Sequence, residues 1–320
     1  MTASGGARWR SVLAYGAAGG LIACAVVWVV RNAEKVSGAL SLRPMHLALL
    51  VPLVILSPPV MGLVNQILAA HLGAPLRFRQ WLALSFASTL ANYVLPMRAG
   101  AALRAGYFKR VGNLPVTKFA SMMAVAYVLT LGVNSALGLA ALGSFYLEKH
   151  LVSWPLLATF LVMLCACLVV VALPSRARQA EPPAGLRGVV ARVHAGWHLL
   201  RKSPALLAKV AGLSLASTAL YVARLYVAFA AVGHPVSLSG CMLVAALAAL
   251  STFLAVTPGG LGVREAAILY SSLAVGVAPE VSLLAAAMDR AAAVAVVLVL
   301  GALATVSISR DAAEDPARAS

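Results

Sequence analysis

One stretch of this sequence interrupts any continuous membrane helix: residues 256–266, which read VTPGGLGVREA and have apolar sequence on both sides. It combines one proline, which has no backbone N–H donor, with three glycines, which permit positive φ. These are Pro258, Gly259, Gly260 and Gly262. A helix arriving from Cys241 is therefore predicted to end near Thr257, and a second helix to begin near Val263.

This break predicts a binding site if it lies within a membrane. Hydrocarbon contains no water to satisfy unwound backbone, so the break must be shielded by protein or line a polar cavity. The second helix would direct its free N–H groups and positive dipole end into the protein, with Arg264 in its first turn, which favours an anion such as phosphate. The alternative is a tight cytoplasmic or periplasmic turn between two short spans, with Glu265 complementing the helix dipole.

Composition places the chain in a membrane. Of 320 residues, 62% are hydrophobic and 11% are charged, whereas soluble domains carry about 25% charged residues. The net charge of +16 comes from basic residues between apolar segments and at the ends, so it reports topology and attraction to anionic lipid rather than nucleic-acid binding. The four cysteines lie in apolar segments, which argues against a disulfide framework or a zinc site, and no cofactor is predicted.

Apolar segments predict an all-α polytopic fold with six full spans, since about 20 residues are needed to cross a bilayer. The spans are 11–30, 45–70, 118–147, 154–173, 206–232 and 281–307. The basic segment 174–204 is cytoplasmic by the positive-inside rule. Its apolar residues recur at helical spacing, which predicts an amphipathic helix on the inner membrane face; a solvated linker is the alternative.

A second break follows the apolar run 81–95, which is too short for a span. Pro96 and Gly100 have the same spacing as Pro258 and Gly262, and each pair follows a short apolar run containing Ser-Thr. Two such breaks in corresponding places are typical of an internal repeat that builds a midplane site from discontinuous helices.

Counting spans from the cytoplasmic segment places the two breaks on re-entrant hairpins that enter from opposite faces, which predicts an inverted-topology repeat. The chain then divides into an N-terminal span with its external loop, a first repeat half, a linking span with the basic loop, a second half and a disordered cytoplasmic tail. The boundaries are 1–44, 45–147, 148–204, 205–308 and 309–320. Both termini are predicted to be cytoplasmic, in a bacterial inner membrane.

Charges within the apolar elements should be paired. Only Glu265 and Asp289 are acidic there, and each would cost about 2.5–3.5 kcal/mol unpaired at a helix centre. We expect Arg290 or Arg98 to hold Glu265. The basic candidates outnumber the acids: Arg98, Arg104, Arg224, Arg264 and Arg290. Unpaired arginines beside helix N-termini indicate a cavity for an anionic headgroup; alternatively, some snorkel to the interface or form structural ion pairs.

These motifs resemble a known family. The pattern from Asn92 through Pro96, Arg98 and Gly100 to Arg104, with the 257–267 motif and Arg290, resembles the transmembrane region of lysylphosphatidylglycerol synthases and their stand-alone flippase-like relatives. The similarity covers about residues 11–307.

The resemblance implies movement of lipids or lipid-linked groups between leaflets. Two positions depart from the family pattern: Ala101 stands where Glu is usual, and Ala126-Tyr127 where an acid–arginine pair is common. The aminoacyl-transferase domain of full-length synthases has no counterpart in these residues, so we do not expect lysyl-lipid synthesis from this chain alone.

The predicted substrate-binding residues are those of the two breaks and the adjacent charges, with none predicted to be catalytic or metal-binding. They are Asn92, Pro96, Arg98, Gly100, Arg104, Pro258, Gly259, Gly260, Gly262, Arg264, Glu265, Asp289 and Arg290.

Three functions fit this pattern. The first is a translocator of a phospholipid or lipid-linked anion. The second is a membrane-embedded lipid-modifying enzyme, which normally needs clustered acids for metal or a histidine-based nucleophile; two interior acids and no interior histidine argue against it. The third is a non-transporting partner that presents lipid to a separately encoded transferase. A homo-oligomer also remains open.

The topology can be tested with two single cysteines. If segment 174–204 is cytoplasmic and the loop 233–240 external, cysteines at Ser203 and His234 should be labelled from opposite sides of the membrane by an impermeant maleimide. Labelling of both from outside would contradict the inverted repeat.

Overall fold

The computed structural model describes residues 44–95, 98–150, 152–172, 188, 203–254 and 257–314. Every regular element in these ranges is helical, which confirms the all-α class. The α-helices are α1 (Pro44–His71), α2 (Phe78–Val94), α3 (Ala99–Val111), α4 (Val116–Lys149), α5 (Trp154–Ala172), α6 (Pro204–Ala231), α7 (Leu238–Ser251), α8 (Val263–Ala274) and α9 (Pro279–Glu314). Two short 3-10 turns, Thr252–Leu254 and Pro258–Gly260, lie between α7 and α8.

Five described helices are long and apolar enough to cross a membrane: α1, α4, α5, α6 and α9. They coincide with five of the six predicted spans, so the chain is a multi-pass membrane protein. The sixth prediction, at 11–30, lies outside the described residues, and so does the amphipathic helix predicted within 174–204, apart from residues 188, 203 and 204. The helices α2 and α7, of 17 and 14 residues, are too short for a bilayer because each residue adds only about 1.5 Å.

The predicted tail 309–320 is partly wrong, because α9 continues to Glu314. No glycine or proline occurs between Gly301 and Pro316. The sequence therefore contains no residue that would end the helix at 308.

The membrane-spanning helices follow one order in each half of the chain. A long helix is followed by a broken pair of short helices and then by another long helix: α1, α2–α3 and α4, then α6, α7–α8 and α9. The packing is reciprocal as well. The two leading helices α1 and α6 pack against each other, α2 packs against α9, and α7 packs against α4. The broken pair of each half therefore contacts the closing helix of the other half.

The turns that precede the broken pairs also correspond. In the first, Ala74 N–H donates to Ala69 O at 2.9 Å, and in the second His234 N–H donates to Phe229 O at 3.1 Å, a constant separation of 160 residues. Gly73 and Gly233, at the same separation, both have positive φ, of 85° and 76°. These are positions where only glycine is unstrained.

Close helix packing depends on glycine in α4. A Cβ atom on Gly138 would lie 2.4 Å from the ring of Phe160 on α5, and that ring is fully buried. The substitution Gly138→Ala should therefore destabilise the protein by about 1–3 kcal/mol. A Cβ atom on Gly143, on the same helix, would meet no neighbour within 4 Å, so Gly143→Ala should be neutral or slightly stabilising, because alanine is the better helix former. Thermal unfolding in detergent should separate the two variants, and equal melting temperatures would contradict this packing.

Candidate functional site

The second break is built by side chains that compete with the helix backbone. The hydroxyl of Ser251 donates to Ala248 O at 2.8 Å, and that of Thr252 donates to Ala249 O at 2.6 Å. Such bonds occupy carbonyls near the helix end, and α7 ends at Ser251, earlier than the predicted end near Thr257. The sequence prediction used proline and glycine as the stop signals and missed these hydroxyls.

The chain then turns sharply and resumes as α8 at Val263, as predicted. Three glycines supply left-handed backbone in this turn: φ is 59° at Gly259, 67° at Gly260 and 84° at Gly262. Pro258 is buried at its start. The Thr257 hydroxyl donates to Leu261 O at 2.7 Å and closes the loop. This turn therefore requires glycine at three positions.

The start of α8 is not an open anion site, which corrects the sequence-based expectation. The carboxylate of Glu265 accepts the N–H of Gly262 at 2.8 Å, so the protein's own acid occupies the positive end of the helix dipole. Glu265 Oε1 also lies 2.9 Å from Arg290 Nε, which confirms the expected pairing and selects Arg290 over Arg98.

Arg290 holds the break in place. Its guanidinium donates to Gly259 O and lies over the Tyr93 ring, 5.9 Å from the centroid. Tyr93 belongs to α2, so this contact joins the first broken pair, the second break and α9. Arg290 therefore has a structural role at the break.

Asp289 is the centre of a buried charge network. Arg224 Nε and Nη2 donate to its two carboxylate oxygens at 2.8 and 3.0 Å, and Arg264 donates to Oδ2 as well. Asp289 is 0% exposed. Arg264 Nε also donates to the hydroxyl of Tyr221 at 2.7 Å. One carboxylate thus balances two guanidiniums from different helices, α6 and α8.

The first break brings two further arginines to the same region. Arg98 precedes α3 with φ of 55°, and the first-turn N–H of Gly100 donates to Asn92 Oδ1 at 2.9 Å. A Cβ atom on Gly100 would lie 2.0 Å from Ser88 O, so only glycine permits α2 and α3 to approach this closely. Arg104 Nε donates to Gly100 O at 3.3 Å. Pro96 lies outside the described residues.

Arg98 and Arg104 have no acidic partner in the part of the chain that the structure describes. The Arg98 guanidinium instead lies over two aromatic rings, 5.6 Å from the Tyr127 centroid and 5.2 Å from that of Phe253. Phe253 lies in the 3-10 turn that leads from α7 into the second break. The two breaks therefore meet through a cation–π contact.

Both breaks open onto one cavity of about 420 Å³. Its walls come from the second break and from every described α-helix except α5. Four arginines line it, namely Arg98, Arg104, Arg224 and Arg264. With Asp289 as the compensating carboxylate behind two of them, these five groups carry a net charge of +3. The arrangement provides a positively charged chamber whose walls are partly polar and partly apolar.

The predicted site residues divide into two groups. Six line this cavity: Asn92, Arg98, Arg104, Gly259, Gly260 and Arg264. Six others lie around it in supporting contacts rather than in its walls: Gly100, Pro258, Gly262, Glu265, Asp289 and Arg290.

Sequence reasoning omitted several lining residues from the predicted site. Arg224 was recognised only as a basic candidate, and Tyr221, Tyr127 and Phe253 were not selected. The sequence did contain an indication for Tyr221 and Arg224. They are three residues apart within an apolar span, so they share one face of a helix. No comparable pattern marks Phe253.

Comparison with known proteins agrees with the motif resemblance. The family model described as the lysylphosphatidylglycerol synthase TM region matches residues 14–301. No curated protein matches the chain significantly.

The two acids should differ in their importance for folding. Asp289→Asn removes the charge that balances two buried guanidiniums, and breaking such a pair typically costs about 3–5 kcal/mol. Glu265→Gln should cost less, because its side chain is 21% exposed and the amide oxygen can still accept the Gly262 N–H. Thermal unfolding in detergent measures both variants. Equal destabilisation would contradict a central role for Asp289.

Proposed function

The chain belongs to the family of the lysylphosphatidylglycerol synthase transmembrane region, and on that premise we propose that it binds an anionic lipid headgroup in the arginine-lined cavity and moves that lipid between leaflets. The family implies a membrane function related to lipids. Translocation is a more specific function than the family implies, and the cavity and the order of the helices support it.

The observation that carries the proposal is the excess of arginine over acid in the walls of one cavity. Guanidinium groups bind phosphate oxygens in bidentate geometry. Arg98 and Arg104 have no acidic partner in the described chain, and both line the cavity. A phosphate placed between them would supply the missing negative charge. The cavity thus favours an anion, and lipid is the source of that anion in a membrane protein of this family.

The architecture supports movement rather than binding alone. Each half has the same order of elements, and the packing of α2 on α9 and of α7 on α4 is reciprocal. Inverted repeats with broken helices around a midplane site are the usual basis of alternating access. In this proposal, the two broken pairs are re-entrant hairpins from opposite faces, and rocking of the halves exposes the cavity to each leaflet in turn.

The test is transbilayer movement of fluorescent phosphatidylglycerol in vesicles that contain the purified protein. We expect Arg98→Gln and Arg104→Gln each to slow this movement at least about tenfold, since a charge-assisted contact contributes about 1.5–3 kcal/mol. Arg110→Gln is the matched control, because Arg110 lies on the same helix but is exposed. It should change the rate little.

Two results would contradict the proposal. Equal slowing by Arg110→Gln would show that total positive charge matters rather than the cavity. Binding of phosphatidylglycerol without any protein-dependent movement would instead favour a partner that presents lipid to a separate transferase.

A further inference from the structure

Within the described chain, the polar part of the cavity wall is cationic or neutral and includes no carboxylate. Among the described residues that line it, none is aspartate or glutamate. Asp289 lies behind Arg224 and Arg264, is 0% exposed, and accepts hydrogen bonds from these arginines on both oxygens. An amine that entered the cavity would therefore meet guanidiniums but no free counter-ion.

A comparison of the two halves shows where the first half lacks acids that the second half has. Glu265 is the third residue of α8, and Ala101 is the third residue of α3. Asp289 is the eleventh residue of α9, and Ala126 is the eleventh residue of α4. Both alanines line the cavity. At these two positions the first half thus has a methyl group where the second half has a carboxylate.

The aromatic walls offer an amine few ring faces away from other cations or rings. Cation–π binding needs an open ring face, but guanidiniums already lie over Tyr127 and Phe253 (Arg98), Tyr221 (Arg224 and Arg264) and Tyr93 (Arg290). Two further rings in the walls pack against other aromatic side chains: Trp81 on Phe78 and Phe108 on Phe119.

The neutral polar groups suit a ligand that carries hydroxyls. Several wall hydroxyls donate their hydrogen within the protein: Ser85 to Trp81 O at 2.7 Å, Thr89 to Ser85 O at 2.8 Å, and Thr218 to Asn134 Oδ1 at 2.9 Å. A hydroxyl that donates its single hydrogen still has acceptor lone pairs. These oxygens can accept hydrogen bonds from ligand O–H groups, while the arginines bind a phosphate.

We propose that the headgroup selected by this cavity is a polyol or sugar phosphate that carries no amine. This inference rests on the function proposed above and specifies its substrate class. It excludes aminoacylated and other cationic headgroups, which the same cavity would repel because like charges in a water-poor site are unfavourable.

The first experiment measures binding to the purified protein in lipid nanodiscs. Phosphatidylglycerol, phosphatidylethanolamine and the lysyl ester of phosphatidylglycerol serve as probes. We expect phosphatidylglycerol to bind at least about tenfold more tightly than either amine-bearing lipid, which corresponds to about 1.4 kcal/mol. Equal or tighter binding of the lysyl ester would overturn the proposal.

The second experiment restores an acid to the first half. Ala101→Glu places a carboxylate three residues before Arg104 on α3, within helical side-chain reach, and three residues after Arg98 in the chain. It should weaken phosphatidylglycerol binding and strengthen binding of the lysyl ester. Ala101→Gln is the matched control, because it adds the same volume without charge and should leave the preference for phosphatidylglycerol intact. A preference that Ala101→Glu leaves unchanged, in a variant that melts like Ala101→Gln, would overturn the proposal.

Movement and binding are measured separately, so the two proposals can fail independently. Selective binding without transbilayer movement would contradict translocation and support the headgroup assignment. Movement of the lysyl ester as fast as that of phosphatidylglycerol would support translocation and overturn the assignment. Free glycerol phosphate is the final competitor: competition as strong as that of the lipid would support the headgroup chemistry and assign it to a soluble ligand, whereas weak competition would support a lipid.

Discussion

The buried carboxylate of Asp289 is the interaction on which the rest of the structure depends. It joins α6, α8 and α9 by balancing Arg224 and Arg264, and leaving either guanidinium unpaired in an apolar interior would be costly. Because the acid lies behind the two arginines, their outer faces remain on the cavity side. This ion network therefore fixes the position of α8, the helix that follows the second break. It also leaves the cavity lined by Arg224 and Arg264 positively charged.

The two halves share an architecture but differ in charge. The turns before each broken pair have matching hydrogen bonds, and the closing helix of each half packs on the broken pair of the other. The second half satisfies its arginines with Asp289 and Glu265, whereas the first half has Ala126 and Ala101 at the corresponding helix positions. Shared packing sets the distance between the breaks, and under the headgroup proposal the charge difference selects what binds between them.

The two breaks are joined mainly by contacts of aromatic rings, which are weak compared with ion pairs. Arg98, in the first break, lies over Phe253, which precedes the second break, and Tyr93 from α2 packs beside Gly259. Cation–π contacts of this kind are worth about 0.5–2 kcal/mol, far less than a buried ion pair. The ion pairs of Asp289 join helices of the second half alone. Relative movement of the two halves would therefore break the cation–π contact and leave these ion pairs intact.

The sequence by itself determined the features that depend on local chemistry. Five spans follow from runs of about 20 apolar residues, the restart at Val263 follows from proline and glycine, and the need to pair Glu265 follows from the cost of an isolated charge. Only the tertiary structure decided which charges meet. Arg224 and Asp289 are 65 residues apart, and Tyr127 and Phe253 lie on different helices, so their contacts depend on helix rotation and packing. Those are set by interlocking side chains across the whole bundle, and hydrophobic periodicity alone does not specify them.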